Sequence, residues 1–206
     1  MTTTNLSMSE IVADLASRDA RLAKVIAEHP LCTLGTKPEE SSHFESLVES
    51  VISQQVSVKA ADSIFGRLKE KSRLGIVAES IAELSDDEMR ACGLSGSKTK
   101  TIKGLADAAL TGLIDFEALH LIEDDEEIST QLNSLWGIGP WTVDMFMMHR
   151  LGRLDVWAVG DLGVRRGWET IYELSEQIEP KALIEAGEKF RPYRSVVAWY
   201  CWRAWD

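Results

Sequence analysis

No stretch of this sequence approaches the roughly 18 consecutive apolar residues of a membrane-crossing helix. The opening residues, MTTTNLSMSE, lack both the basic start and the apolar core of a secretory signal. A soluble, intracellular protein with no membrane partner is expected. Cysteine is scarce: Cys32, Cys92 and Cys201 lie far apart, with no Cys-x-x-Cys and no Cys/His pairing at zinc spacing. That pattern excludes a disulfide scaffold and a structural zinc site, leaving three packed free thiols. Period-two alternation, internal repeats, low-complexity tracts and Pro/Ser-rich linkers are also missing, so one compact unit spanning 1–206, with two lobes, is the simplest organisation.

Positive charge is in deficit as well. Against 22 Lys+Arg stand 33 Asp+Glu, a net charge of -11 over 206 residues, which argues against a general nucleic-acid coat. The deficit is uneven, because residues 131–206 hold 9 basic against 10 acidic side chains while 1–130 hold 13 against 23. Much of the acidic excess sits in Ser85-Asp86-Asp87-Glu88 and Glu123-Asp124-Asp125-Glu126-Glu127, which read as solvated loops or helix starts. A basic face remains open around Lys98, Lys100 and Lys103.

What is present is helical periodicity. Phe44, Leu47, Val48, Val51, Ile52 and Val56 recur at three- and four-residue steps, the spacing of one buried helix stripe. Similar spacing recurs near 11–15, 22–26, 60–68, 102–110, 142–151, 164–174 and 196–205. Breaks fall at His29-Pro30, Lys37-Pro38, Gly93 to Gly96, Gly112, Gly137 to Pro140, Gly160 and Glu179-Pro180. The expected fold is all-α, a compact two-lobed bundle of about ten helices.

The most informative stretch is Leu135-Trp136-Gly137-Ile138-Gly139-Pro140-Trp141-Thr142, where one helix ends at Gly-x-Gly and another begins at Pro140. Gly137 and Gly139 can take positive φ and leave the backbone bare, while Ile138 anchors the turn in the core. Backbone N–H groups at a helix start, beside the positive end of its dipole, suit a phosphate. A plain helical corner would use the same glycines only as caps. Downstream, the apolar run Leu154 to Val159 leads through Gly160-Asp161 into another helix, placing Asp161 at its N-cap. A helix start also suits an ionised carboxylate able to stabilise positive charge on a sugar or to orient water. Asp155 and Asp144 are weaker candidates.

A Gly-Ile-Gly hairpin followed about twenty residues later by Asp at a helix start resembles the helix-hairpin-helix DNA glycosylase superfamily. Val51-Ile52-Ser53-Gln54-Gln55-Val56-Ser57 is similar to the Ile-x-x-Gln-Gln-Leu-Ser signature of its 3-methyladenine DNA glycosylase II branch. Gly93-Leu94-Ser95 with Lys98 is similar to that branch's second turn, and Phe190-Arg191-Pro192-Tyr193-Arg194-Ser195 followed by Trp199 to Arg203 to its closing helix. The likeness covers residues 43–206 in order.

The resemblance implies a monofunctional DNA glycosylase of base excision repair, acting as a monomer on damaged double-stranded DNA without cofactor or metal. Asp161 matches the catalytic aspartate, about residues 128–151 the helix-hairpin-helix at the cleft, and Gln55 the region that wedges into the duplex. Gln54, Gln55, Ser57, Lys98, Gly137, Ile138, Gly139 and Thr142 become DNA-binding candidates. Trp136, Trp141, Met145 and Trp202 become the base pocket, where aromatic faces favour a cationic purine. Met145 stands where some relatives have an aromatic, and Trp141 where lyase-active relatives carry a nucleophilic lysine. The four-cysteine iron–sulfur pattern of the endonuclease III branch is absent. Trp168 and Trp205 read as packing residues, and His43 as a surface or capping residue outside the site. Two competing readings are a noncatalytic DNA-binding scaffold and a helical protein–protein interaction domain.

Overall fold

The computed structural model describes residues 6–35 and 41–205. Among these residues the chain is helical throughout and contains no β-strand. In chain order the helices are α1 (Met8–Arg18), α2 (Ala20–Glu28), α3 (His43–Ser53), α4 (Val58–Lys71), α5 (Ala78–Glu83) and α6 (Asp86–Ala91). They continue with α7 (Gly96–Leu110), α8 (Asp125–Asn133), α9 (Pro140–His149), α10 (Leu162–Tyr172), α11 (Pro180–Gly187) and α12 (Arg194–Trp205). Short 3-10 turns occupy Phe116–Leu121 and Glu188–Phe190. Twelve α-helices among the described residues exceed the expected ten, because α5 and α6 are only six residues each and no Gly or Pro separates them. The break expected at Lys37-Pro38 lies outside the described residues.

Caps fix most helix starts. Ser7 and Ser85 form capping boxes with Glu10 and Glu88, and Ser42, Ser57, Ser95, Asp124 and Asp161 each accept a first-turn N–H. The acidic runs at 85–88 and 123–127 are therefore helix starts, where the dipole favours negative charge.

The backbone divides into two compact units, Met1–Lys37 with Met147–Asp206, and Pro38–Phe146, the division falling within α9. The second unit buries Leu47, Ile52, Leu68, Ile81, Met89, Ile102, Leu105 and Leu132; full burial of each such side chain contributes about 1.5–3 kcal/mol. Its helix α3 ends at Ser53, so Val56, expected on the buried stripe, lies beyond the helix and is exposed. His43, expected at the surface or as a cap, is buried at the start of α3, its Nδ1 2.8 Å from the Phe116 carbonyl oxygen.

The first unit centres on α10 against α12. Gly167 permits that crossing: a Cβ there would lie 1.8 Å from the Cys201 carbonyl oxygen. Trp168 is buried and stacks on Tyr172 at 4.3 Å, as a packing residue should, whereas Trp205 is exposed. All three cysteines are free and buried, and burial pushes the Cys32 thiol up to about 11.

Candidate functional site

In the unit containing residues 38–146, α8 and α9 form the hairpin. Gly137 has φ +82°, and a Cβ on it would lie 2.1 Å from Thr101 Oγ1, so both conformation and space demand glycine. Gly139 departs from expectation, since its φ is not positive. A Cβ there would meet nothing within 4 Å. The first glycine answers to the protein's own packing, and the second leaves the helix start bare towards the outside. Ile138 is buried as anticipated, and Pro140 opens α9.

Beside the hairpin lies a groove of about 340 Å³ lined by Gln54, Gln55, Val56, Ser95, Ser97, Lys98, Thr101, Trp136 and Gly137. Five of the sequence-predicted residues thus share one surface. Trp136 belongs to this group, 53% exposed with the Lys100 ammonium 4.2 Å above its ring, whereas neither Trp141 nor Met145 lines the groove. Trp136 is therefore placed with the DNA-binding candidates Gln54, Gln55, Lys98 and Gly137. Trp141 and Met145 occupy successive turns of α9, Trp141 44% exposed and Met145 half-buried.

The turn after α3 is held on two sides. Gln54 donates its amide to the buried Thr142 Oγ1 on α9 at 3.1 Å, and the Lys98 ammonium donates to the Ile52 and Gln54 carbonyls at 2.8 and 2.6 Å. Burial holds the Lys98 pKa below the ordinary lysine range. Lys103 is paired with Asp86, so only part of the expected basic face is open. Gln55 is exposed, with φ +57°. Ser57 caps α4.

In the other unit, Asp161 is the N-cap of α10 as the sequence indicated. Its Oδ1 accepts the Val164 N–H at 2.8 Å and the Trp202 indole N–H, also at 2.8 Å. Trp202 reaches it because residue 163 is glycine: a Cβ there would lie 2.8 Å from the indole Cδ1. A face of the Trp202 indole meets His149, whose ring stacks at 5.5 Å between centroids and 20° between planes. His149 is exposed at the surface, yet partial desolvation of its ring lowers its pKa. His149 and Gly163 were not among the predicted site residues. The four-residue spacing from Trp141 to Met145 to His149 was the available signal for His149.

Asp155, the weaker catalytic candidate, is occupied otherwise. Arg194 donates to both its carboxylate oxygens at 2.8 and 3.0 Å and to its backbone carbonyl at 2.8 Å, and Arg191 adds a contact at 2.8 Å. Ser195 exchanges bonds with the Val156 N–H and carbonyl. The Arg-Pro-Tyr-Arg-Ser stretch thereby clamps the segment that delivers Asp161. Among the described residues no group of three or more His, Cys, Asp or Glu is arranged to hold a metal ion, and no helix is long and apolar enough to cross a membrane.

The model of the HhH-GPD superfamily base excision DNA repair proteins matches residues 48–192. The chain is 32% identical over 203 residues to DNA-3-methyladenine glycosylase 1 of Schizosaccharomyces pombe, covering 97% of this chain and 88% of the relative. The solved DNA-3-methyladenine glycosidase of Bacillus halodurans superposes with a TM-score of 0.83 at 34% identity, covering 98% of this chain and 90% of that one. The S. pombe 3-methyladenine DNA glycosylase solved in complex with abasic DNA gives 0.80 at 30% identity, covering 94% and 95%. With the hairpin, the N-capping aspartate and these likenesses together, the chain belongs to the HhH-GPD superfamily of base excision DNA repair proteins.

Proposed function

We propose that the protein is a monofunctional DNA-3-methyladenine glycosylase, which extrudes an alkylated purine from duplex DNA and hydrolyses its N-glycosidic bond to leave an abasic site. The observation that carries this reading is the Asp161 carboxylate, fixed at the start of α10 by the Val164 N–H and the Trp202 indole. An alkylated purine such as 3-methyladenine is cationic, so the bonding pair leaves with a base that becomes neutral. The deoxyribose takes up the positive charge. Asp161 stabilises that oxocarbenium-like centre and orients the water that adds at C1′ and loses its proton.

Extrusion costs a few kcal/mol of stacking and pairing. Gln55, exposed at the tip of its turn, fills the gap in the duplex, and the bare backbone at Gly139 and the start of α9 receives a phosphate. Trp141 and Met145 offer the extruded base an aromatic and thioether wall. Trp141 stands where the resemblance puts the nucleophilic lysine of lyase-active relatives, which supports attack on the sugar by water.

The test is incubation with a duplex carrying one alkylated purine, followed by assay for free base, direct and alkali-treated gels, and borohydride trapping. Base release with strand breaks only after alkali is expected. No release by the wild type would reduce the protein to a DNA-binding scaffold, and a borohydride-stable adduct would replace water with an amine nucleophile.

A further inference from the structure

We propose that Lys98 is a positioning residue for the turn that carries Gln55, and that it acts on base extrusion through this turn without contacting DNA. The inference rests on the extrusion role just given to Gln55.

The last carbonyls of a helix have no intrahelical donor. At the end of α3 those of Ile52 and Gln54 point to the Lys98 ammonium, at 2.8 and 2.6 Å. A cation is well placed there, at the negative end of the α3 dipole. On its own helix it is badly placed. Lys98 stands in the first turn of α7, its backbone N–H bonded to the Ser95 cap at 3.3 Å, where the dipole disfavours positive charge. Placed against its own dipole and partly desolvated, the ammonium draws compensation from the two carbonyls it bridges.

Between those carbonyls and α4 lies Gln55, a non-glycine residue at φ +57°. Such a conformation persists where its surroundings over-determine it. The surroundings are Lys98 on the α7 side and the Gln54 amide bond to Thr142 on the α9 side. Gln55 itself stays exposed. The turn is thus anchored by backbone carbonyls and by the neighbouring glutamine, leaving the Gln55 side chain to project outward. A lysine serving phosphate would instead leave its ammonium directed to solvent.

The experiment compares wild type, Lys98→Met, Lys98→Arg and Gln55→Ala in single-turnover base release at saturating enzyme. It also measures the salt dependence of affinity for undamaged duplex. Lys98→Met should slow release about tenfold or more while leaving the slope of log affinity against log salt unchanged, and Lys98→Arg should restore most of the rate. In a Gln55→Ala background, Lys98→Met should cost no further rate, because the two residues act on one step. If Lys98→Met lowers the salt slope by about one and spares release at saturation, the residue is a phosphate contact and the proposal fails. Equal losses in both backgrounds, or a Lys98→Met variant that does not fold while Lys98→Arg folds without recovering rate, overturn it as well. A wild type that releases no base would instead fail the glycosylase reading, so the two failures are distinguishable.

Discussion

Asp155 and Asp161 stand six residues apart on one connecting segment, and the molecule uses them in opposite ways. Asp155 faces two guanidinium groups that take both of its oxygens, with side chains only 11% exposed for Arg194 and 22% for Asp155. Among the partners of Asp161 are a backbone N–H and an indole N–H, donors without a formal charge. A carboxylate neutralised by two arginines has little field left for a developing cation. Donors without a formal charge orient a carboxylate without neutralising it. On the function proposed above, the first serves the fold and the second the reaction.

The largest expected effect tests that division directly. Asp161→Asn keeps the size and the capping oxygen, so its loss of stability should stay within about 1 kcal/mol. Base release should fall by about a thousandfold or more, roughly 4 kcal/mol of transition-state stabilisation, with binding to abasic duplex nearly intact. Single-turnover release and thermal melts on the same sample check both halves. An Asp161→Asn variant that turns over near the wild-type rate would erase the contrast with Asp155.

The reverse pattern is expected from Arg194→Met. Removing one partner of a largely buried ion pair leaves the other uncompensated, a cost of about 3–5 kcal/mol for full burial, and about 2–4 here because Asp155 retains some solvent and Arg191. Denaturant unfolding should show that loss, while base release per folded molecule stays within a few-fold of wild type at low temperature. A variant with normal stability and lost activity would move the Asp155 cluster into the reaction.

How much of this was legible in the sequence depends on the range of the interactions. Helix periodicity, the Gly-Ile-Gly turn and Asp161 as a cap are local patterns, and each appears where the residues indicated. The end of α3 was not legible, because no Gly or Pro stands between Ile52 and Ser57. The carbonyls at that end are met by the Lys98 ammonium, 46 residues from Ile52. Asp155 looked like a second-choice catalyst for the same reason, its Arg194 partner lying 39 residues on. Trp202 is legible as a base-pocket candidate, but its bond to Asp161 spans 41 residues and has no local sequence pattern. Short helices such as α5 and α6 fall below the length at which periodicity is readable.

The smallest expected effect concerns pH and separates the two aspartates once more. Only the Asp161 side leans, through Trp202, on a histidine with a displaced pKa. Partial desolvation of the ring, which stacks on the indole, lowers the pKa of His149, so the folded state binds fewer protons than the unfolded chain as pH falls through the ordinary histidine range. The sign follows: the contribution is complete at pH values above about 6.5, shrinks as pH falls below it, and is fully lost once pH passes the lowered folded value. The solvent-facing edge of the ring discounts the effect to less than about 1 kcal/mol. Glu10, Asp19, Asp86 and Glu88, whose pKa values are lowered by their hydrogen bonds and lysine partners, add their own acid sensitivity only in the carboxylate range well below this window. Melting temperatures of wild type and His149→Phe between pH 7.5 and 5.0 isolate the histidine, since phenylalanine keeps the stack and cannot take a proton. The wild type should lose more stability than the variant across that interval, with the gap opening below about pH 6.5. Parallel curves would mean that His149 protonates without disturbing Trp202, and would leave the indole's hold on Asp161 to Gly163 and α12 alone.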